Sequence, residues 1–460
     1  MAALSLAHYQ DVLGQLPRLK TYTHILLCFP LYDDQSPIKF IASLEAAARV
    51  LADAFPWISC RVVHEGIGPE DSGTFRLAPC PEFSIPNTIV HVKDCTAACP
   101  TYQEILDAHG PVSMLDGSVL GPVPAFPQLY SDASLNPAPV FTLQANLIRG
   151  GILLDAAAQH NFIDGGGLLR LLTLLAKALR GESFTPEELE HGNRDRSTLI
   201  PLLRPDEPML DHSHLLRESA LTSAPQPPPA PAADVHWSFV RFPVAKVVAL
   251  KSRANEDIQK TNPGFFVSTN DALSAFIWQR ISSVRQKRLQ HAPSAFSKFS
   301  RALDARRALG IPREYLGQMG YNATCRLTFQ ELQEQSLGEV ALFMRQAVAA
   351  VNNEYAVRSW ATFVAQEPDK SKIMFGGAFN PDTDIGVSSL IHGSVQDVEF
   401  GGLGKPELVR RPRFSPLTSC IYLWTQTGGG DVDALLCLKE GDWKGLRDDV
   451  GWAGCTEFIG

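Results

Sequence analysis

The sequence predicts an α/β (α+β) protein of two lobes, each with a mixed sheet flanked by helices. Three observations carry this. The chain has 460 residues, more than one ordinary domain packs around a single core. Its composition shifts over 204–234, where "RPDEPMLDHSHLLRESALTSAPQPPPAPAAD" is rich in Pro, Ala and Ser and holds no sustained apolar period. Strand and helix patterns are mixed on both sides of that shift. The expected division is therefore an N-terminal domain over 1–205, a Pro-rich crossover over 206–234 and a C-terminal domain over 235–460.

Taken in order, "SPIKFIASLEAAARVLADAFPW" spaces Ile38, Ile41, Leu44, Ala48 and Leu51 along one helical face. Ser36 can cap that helix, Pro37 suits its first turn and Pro56 stops it. "PVFTLQANLIRGGILLDAAAQH" reads as a hairpin, two β-rich runs joined at Gly150-Gly151. Its second strand ends at Gln159-His160. An Asp-Gly turn follows, then a helix from about Gly167 to Arg180, closed by Gly181. After the crossover, "VHWSFVRF" is a strand and "PVAKVVALKSRANED" a helix. "VSTNDALSAFIWQRISSVRQKR" starts a second helix at Ser268, with Asp271 three residues on as a capping-box variant. Near the end, "TSCIYLWTQTGGGDVDALLCLKEGDWKGLRDDV" reads as strand, glycine turn, strand and helix.

Composition narrows the function. Charged residues make up 20% and the formal net charge is −8, which gives no basic stripe for a nucleic acid. No apolar run is long enough to span a membrane, and "MAALSLAHYQD" lacks a secretion signal. The nine cysteines are scattered and form no CxxC pair, so neither a disulfide framework nor a metal site is expected. Reduced thiols in the cytoplasm are the simplest reading. No GxSxG elbow, GxxxxGK[ST] loop or HExxH motif is present.

One short stretch carries chemistry. In "QHNFIDGGGLLRLL" a strand end delivers His160 ahead of Asp164 and three glycines. Histidine titrates near neutrality, so it suits proton removal from an alcohol, and glycines let backbone and substrate approach closely. Asp164 could pair with His160 or fix the turn by holding a cation, and the local pattern does not choose between these.

His160-N-F-I-Asp164-Gly165 recurs in concert with a second element, "DVEFGGLGKPELVRRP" at 397–412. In order and separation the two resemble the HxxxDG and DFGWG motifs of the BAHD acyltransferase superfamily, above all its fungal branch of trichothecene 3-O-acetyltransferases. "DVLGQLPRL", "AFPWISCRVV", "STNDALSAFIWQRI", "ALDARRALGIPREYLGQMGYN" and "GVSSL" fit as well, so the likeness covers nearly the whole chain. It implies two chloramphenicol-acetyltransferase-like domains meeting across a channel, with His160 midway as general base. Acyl-CoA, most simply acetyl-CoA, would be the cosubstrate, a small secondary metabolite the acceptor, and a monomer the expected state, with no bound cofactor or metal.

The resemblance also implies that Asp164 turns away from the substrate to pair with an arginine, matched here by Arg306 rather than Arg307. Gly165 belongs to the same structural turn. Ser388 and Ser389 match polar positions of the channel, and Glu399, Phe400, Gly401 and Gly404 match a structural loop. That loop lacks the usual Asp and Trp, Gln318 stands in place of Asn, and Leu390 in place of Trp. These departures argue against the plant branch. The rival readings are a peptide-bond-forming condensation domain, which would carry a second histidine where Gln159 stands, and a non-acylating scaffold or recruited biosynthetic enzyme.

Overall fold

A computed structural model describes residues 6–32, 36–83, 87–126, 137–217, 234–374, 376–393, 395–425 and 429–460. The strands of the first half are β1 (Tyr22–Pro30), β2 (Arg61–Gly68), β3 (Asp71–Ala78), β4 (Val90–Asp94), β5 (Phe141–Ile148) and β6 (Gly151–Gln159). Those of the second are β7 (Val235–Phe242), β8 (Phe296–Asp304), β9 (Gly320–Thr328) and β10 (Ile385–Ser389). Then come β11 (Leu408–Arg410), β12 (Cys420–Thr425), β13 (Val432–Lys439) and β14 (Glu457–Phe458).

Two mixed sheets result, with strand orders β11-β1-β6-β5-β4 and β14-β7-β13-β12-β10-β8-β9, plus a hairpin of β2 and β3. The first sheet is not built from the first half alone. β11 arrives from the second half and pairs antiparallel with β1, Leu26 opposite Arg410 and Cys28 opposite Leu408. Its pairing covers an edge that β1 would otherwise expose.

The local signals have physical counterparts. Ser36 accepts a hydrogen bond from the Lys39 N–H, and Pro37 opens the helix Pro37–Ala54. Ser268 and Asp271 form a reciprocal capping box on the helix Thr269–Leu289. β5 and β6 form the hairpin, and Gly150 turns it at a φ of +77° that side chains rarely adopt. One boundary differs. The helix after His160 runs Gly165–Leu179 with Asp164 as N-cap, so the glycines lie inside its first turn. The reason is close packing: a Cβ on Gly167 would stand 2.2 Å from the Leu316 carbonyl oxygen. Gly167→Ala is therefore expected to cost about 1–3 kcal/mol through overpacking. An unchanged urea midpoint would contradict that packing.

The crossover is less free than its composition predicts. Its described part lies along the helix Glu354–Gln366, where Leu210 N–H donates to Ser359 Oγ at 2.8 Å. Arg358 pairs with Glu207 at 2.7 Å. Residues 218–233 of the expected linker fall outside the described residues.

Alternation along the strands divides the core. Ile25, Leu27, Leu154, Ala156 and Ala158 pack toward helices of the first lobe. Val240, Ile385, Val387, Ile421 and Leu423 face the helices of the second lobe. The opposite faces, bearing Tyr22, His24, Asp155 and Gln159 on one sheet and Ser388, Tyr422 and Trp237 on the other, are turned between the lobes. Arg411 bridges these faces: its guanidinium lies over Trp237 and Tyr422 and also over Phe414, whose ring reaches His24.

Candidate active site

His160 stands one residue beyond β6, where its backbone N–H donates to the Thr21 carbonyl at 2.9 Å. Gln159 is still paired with Tyr22, so the strand holds the backbone up to the histidine itself. Behind it, Asn161 is 1% exposed and donates to the carbonyls of Gly14 and Leu16. Its N–H donates in turn to Gln159 Oε1 at 2.9 Å. The approach is so close that a Cβ on Gly14 would lie 2.1 Å from the Asn161 oxygen. Arg196 closes the turn from below by donating to the Phe162 carbonyl at 2.9 Å.

Asp164 is fixed from both lobes. Arg306 grips it with two bonds, Nη1 to Oδ2 at 2.8 Å and Nη2 to Oδ1 at 3.0 Å. The N–H groups of Gly167 and Met319 each donate to it at 2.8 Å. Burial alone would push its carboxyl up, but Arg306 and these backbone donors more than offset that and hold it below the ordinary range. Arg306 also donates to the carbonyls of Tyr315 and Gly317, whereas Arg307 is exposed. The ambiguity left by the motif thus has a geometric answer: the carboxylate caps a helix and binds a cation, and makes no hydrogen bond to His160.

The imidazole has different surroundings. Nδ1 is buried without a hydrogen-bond partner, while the residue's own backbone favours the protonated ring. Nε2 is the nitrogen left to meet a substrate. Burial pulls the pKa below its usual 6.5; the Asp164 charge works against that and the Arg18 cation adds to it. His160 is nonetheless partly exposed, as are Thr21, Gly165, Ser388, Cys420 and Tyr422. Thr21 and Gly165 flank the turn and the others lie on central strands, so their partial exposure is what an opening between the two lobes would give.

Ser388 faces that gap, because Val387 points into the helix-side core and Tyr422 is the register partner of Ser388. Ser389 follows Val387 by alternation, and its Oγ accepts the Ile391 N–H at 3.4 Å. The end of β10 reaches the histidine turn: a Cβ on Gly165 would lie 3.2 Å from Leu390 Cδ2. The late loop sits elsewhere. Phe400 is fully buried and packs edge-on against Phe29 at 5.4 Å. Gly401 and Gly404 have positive φ, and Gly401 abuts Leu179 at the far end of the helix. Glu399 is exposed, and its carbonyl accepts from Arg180. A 15-residue helix separates that contact from His160, or about 20 Å. Asn161, Arg18 and Arg196 were not singled out from sequence; Asn161 occupies a free position of HxxxDG, and the partners of the others are remote in the chain.

Residues 21–179 match the trichothecene 3-O-acetyltransferase-like N-terminal domain, and residues 120–451 match the Transferase family. The chain belongs to the BAHD transferase family. It is 47% identical to the O-acyltransferase pigD of Monascus ruber, over 99% of both chains. To the trichothecene 3-O-acetyltransferase of Fusarium sporotrichioides it is 34% identical, over 98% of this chain and 96% of the other. The crystal structure of that Fusarium enzyme with coenzyme A and T-2 superposes with a TM-score of 0.88 at 32% identity, covering 98% and 99% of the two chains. Vinorine synthase shares the fold at a TM-score of 0.66 and 14% identity, over 97% and 93%. This BAHD chain is thus an acyltransferase with the two-domain α/β architecture of its family.

Proposed function

We propose that this BAHD enzyme transfers an acyl group, most simply acetyl, from acyl-CoA to a hydroxyl of a small secondary metabolite, with His160 as general base. The observation that carries this is an imidazole held at the interlobe gap by a turn that Asp164 and Arg306 lock from behind. The named activities of the relatives, O-acyl- and O-acetyltransferase, and the coenzyme A in the Fusarium complex support the donor. His160 Nε2 takes the proton as the acceptor oxygen forms its bond to the thioester carbonyl. The tetrahedral intermediate then expels CoA as thiolate, which recovers the proton from the imidazolium. Ser388 is the candidate polar group at the channel centre, and Glu399, Phe400, Gly401 and Gly404 buttress the far end of the helix. We place the enzyme in the cytoplasm as a monomer that binds neither nucleic acid nor membrane; its nine free cysteines are consistent with a reducing compartment.

Thiol titration tests this reading. Acetyl-CoA mixed with the enzyme and a panel of alcohols should release thiol in step with ester formed. Thiol release unaffected by every alcohol would count against transfer to a hydroxyl. The base must be unprotonated to act, and burial lowers its pKa. The acid limb of kcat/KM should therefore have its midpoint below pH 6.5, with activity lost as pH falls through it. A midpoint above 7 would contradict the assignment.

A further inference from the structure

Away from the histidine turn, a second polar cluster lies buried between the facing sheets, and proton abstraction does not use it. His24 Nδ1 and Asp155 Oδ2 are 2.7 Å apart, and both side chains are 0% exposed. Arg411 is 4% exposed and lies against four rings, 5.2 Å from Trp237, 5.2 Å from Phe414, 5.3 Å from Tyr422 and 6.0 Å from Phe126. Phe414 also packs on the His24 ring at 4.3 Å, which brings the arginine and the dyad to one place. The Arg411 charge acts on the Asp155 carboxylate, yet no ion pair joins them among the described residues. Three atoms there are buried and unpartnered: His24 Nε2, Asp155 Oδ1 and Arg411 Nη1.

We propose that His24, Asp155 and Arg411 form a second subsite of the acceptor channel, which takes a ring hydroxyl remote from the one that is acylated. The inference rests on the acyl-transfer reading for what enters the channel. Buried polar atoms left without partners are costly, so three together mark a place built for a polar guest. A hydroxyl supplies both halves of the match: its hydrogen goes to Asp155 Oδ1, and its lone pair accepts from Arg411 Nη1. His24 Nε2 adds a third polar atom beside these two. Phe414 and Tyr422 retain exposure, so ring faces are available beside the polar atoms. Spacing sets the ligand's size. His160 bonds to Thr21, and His24 lies three residues further along β1, about 10 Å at strand rise. That separation suits two hydroxyls at opposite ends of a fused bicyclic or larger ring system.

The test is direct binding, read by the intrinsic fluorescence anisotropy of two naphthols without acetyl-CoA. Wild type should bind 2,6-dihydroxynaphthalene about tenfold or more tightly than 2-naphthol, as expected for a hydroxyl bonded to charged groups. Arg411→Leu and Asp155→Asn should each bring the ratio close to one. Equal binding by wild type, or a preference that survives in both variants, overturns the subsite. Thermal unfolding shows whether each variant is folded, and Arg411→Gln replaces any that is not. Failure of the acyl-transfer reading would appear separately, as absent thiol release in an enzyme that still prefers the diol.

Discussion

His160→Ala is expected to lower turnover by about a hundred- to ten-thousandfold, the range for losing a general base, with little change in unfolding temperature. The second half of that expectation follows from the structure. The His160 side chain makes no hydrogen bond that holds the fold, while its backbone N–H, which the substitution keeps, bonds to Thr21. Residual activity would come from substrates held together in the gap rather than from proton transfer. Because only the base is lost, kcat should fall far more than the acceptor KM rises. Turnover near that of wild type in a folded His160→Ala protein would remove His160 from the mechanism.

Asp164→Asn should do the opposite, harming the fold first. Arg306 is 5% exposed, and its guanidinium would face an amide in place of a carboxylate in a site closed to water. Removing one partner of a buried pair costs about 3–5 kcal/mol, and Asp304, half exposed and 3.0 Å from the same guanidinium, offsets only part of that loss. The expected result is a marked drop in the denaturant midpoint or in soluble yield. The loss should carry a pH signature. The Asp164 pKa is lowered in the folded state, so the stability it contributes is present above the unfolded carboxylate value and is lost as pH falls through the folded one. Wild type should therefore lose stability toward acid more steeply than the Asn variant. A variant with unchanged stability but no activity would make Asp164 a participant in the chemistry instead of a support for the turn.

What could be read from sequence follows the range over which each signal acts. The helix capped by Ser36, the box of Ser268 and Asp271, and the hairpin through Gly150 are local, because their hydrogen bonds join residues a few positions apart. β1 has no such mark. "YTHILLCFP" is apolar on both faces because both are buried, so the alternation that identifies a half-exposed strand is absent. β11 is three residues long and pairs with a strand some 380 positions earlier in the chain, as the register of Leu26 with Arg410 shows. The parallel pairing of β10 with β8 and β12 is likewise set by the assembled sheet.

The site divides in the same way. His160 and Asp164 stand in one motif, and Arg306 came from a resemblance spanning the chain; spacing alone gives no route to it. The supports around them were not legible. Asn161 reaches Gly14 and Leu16, and Arg196 reaches Phe162, contacts that exist only once the N-terminal segment lies against the histidine turn. The helix start was misplaced by two residues because three consecutive glycines read as a turn. Gly167 instead serves close packing against Leu316.

The central claim is that the imidazole at the end of β6 is aimed into the space where a thioester and an alcohol meet. A crystal structure with CoA and an acceptor bound tests it most directly. The account predicts the CoA sulfur in the interlobe gap and the acceptor oxygen within hydrogen-bond distance of His160 Nε2, with Asp164 still bound to Arg306. A CoA thiol seated away from that gap, or an acceptor oxygen turned toward another side chain, would contradict it.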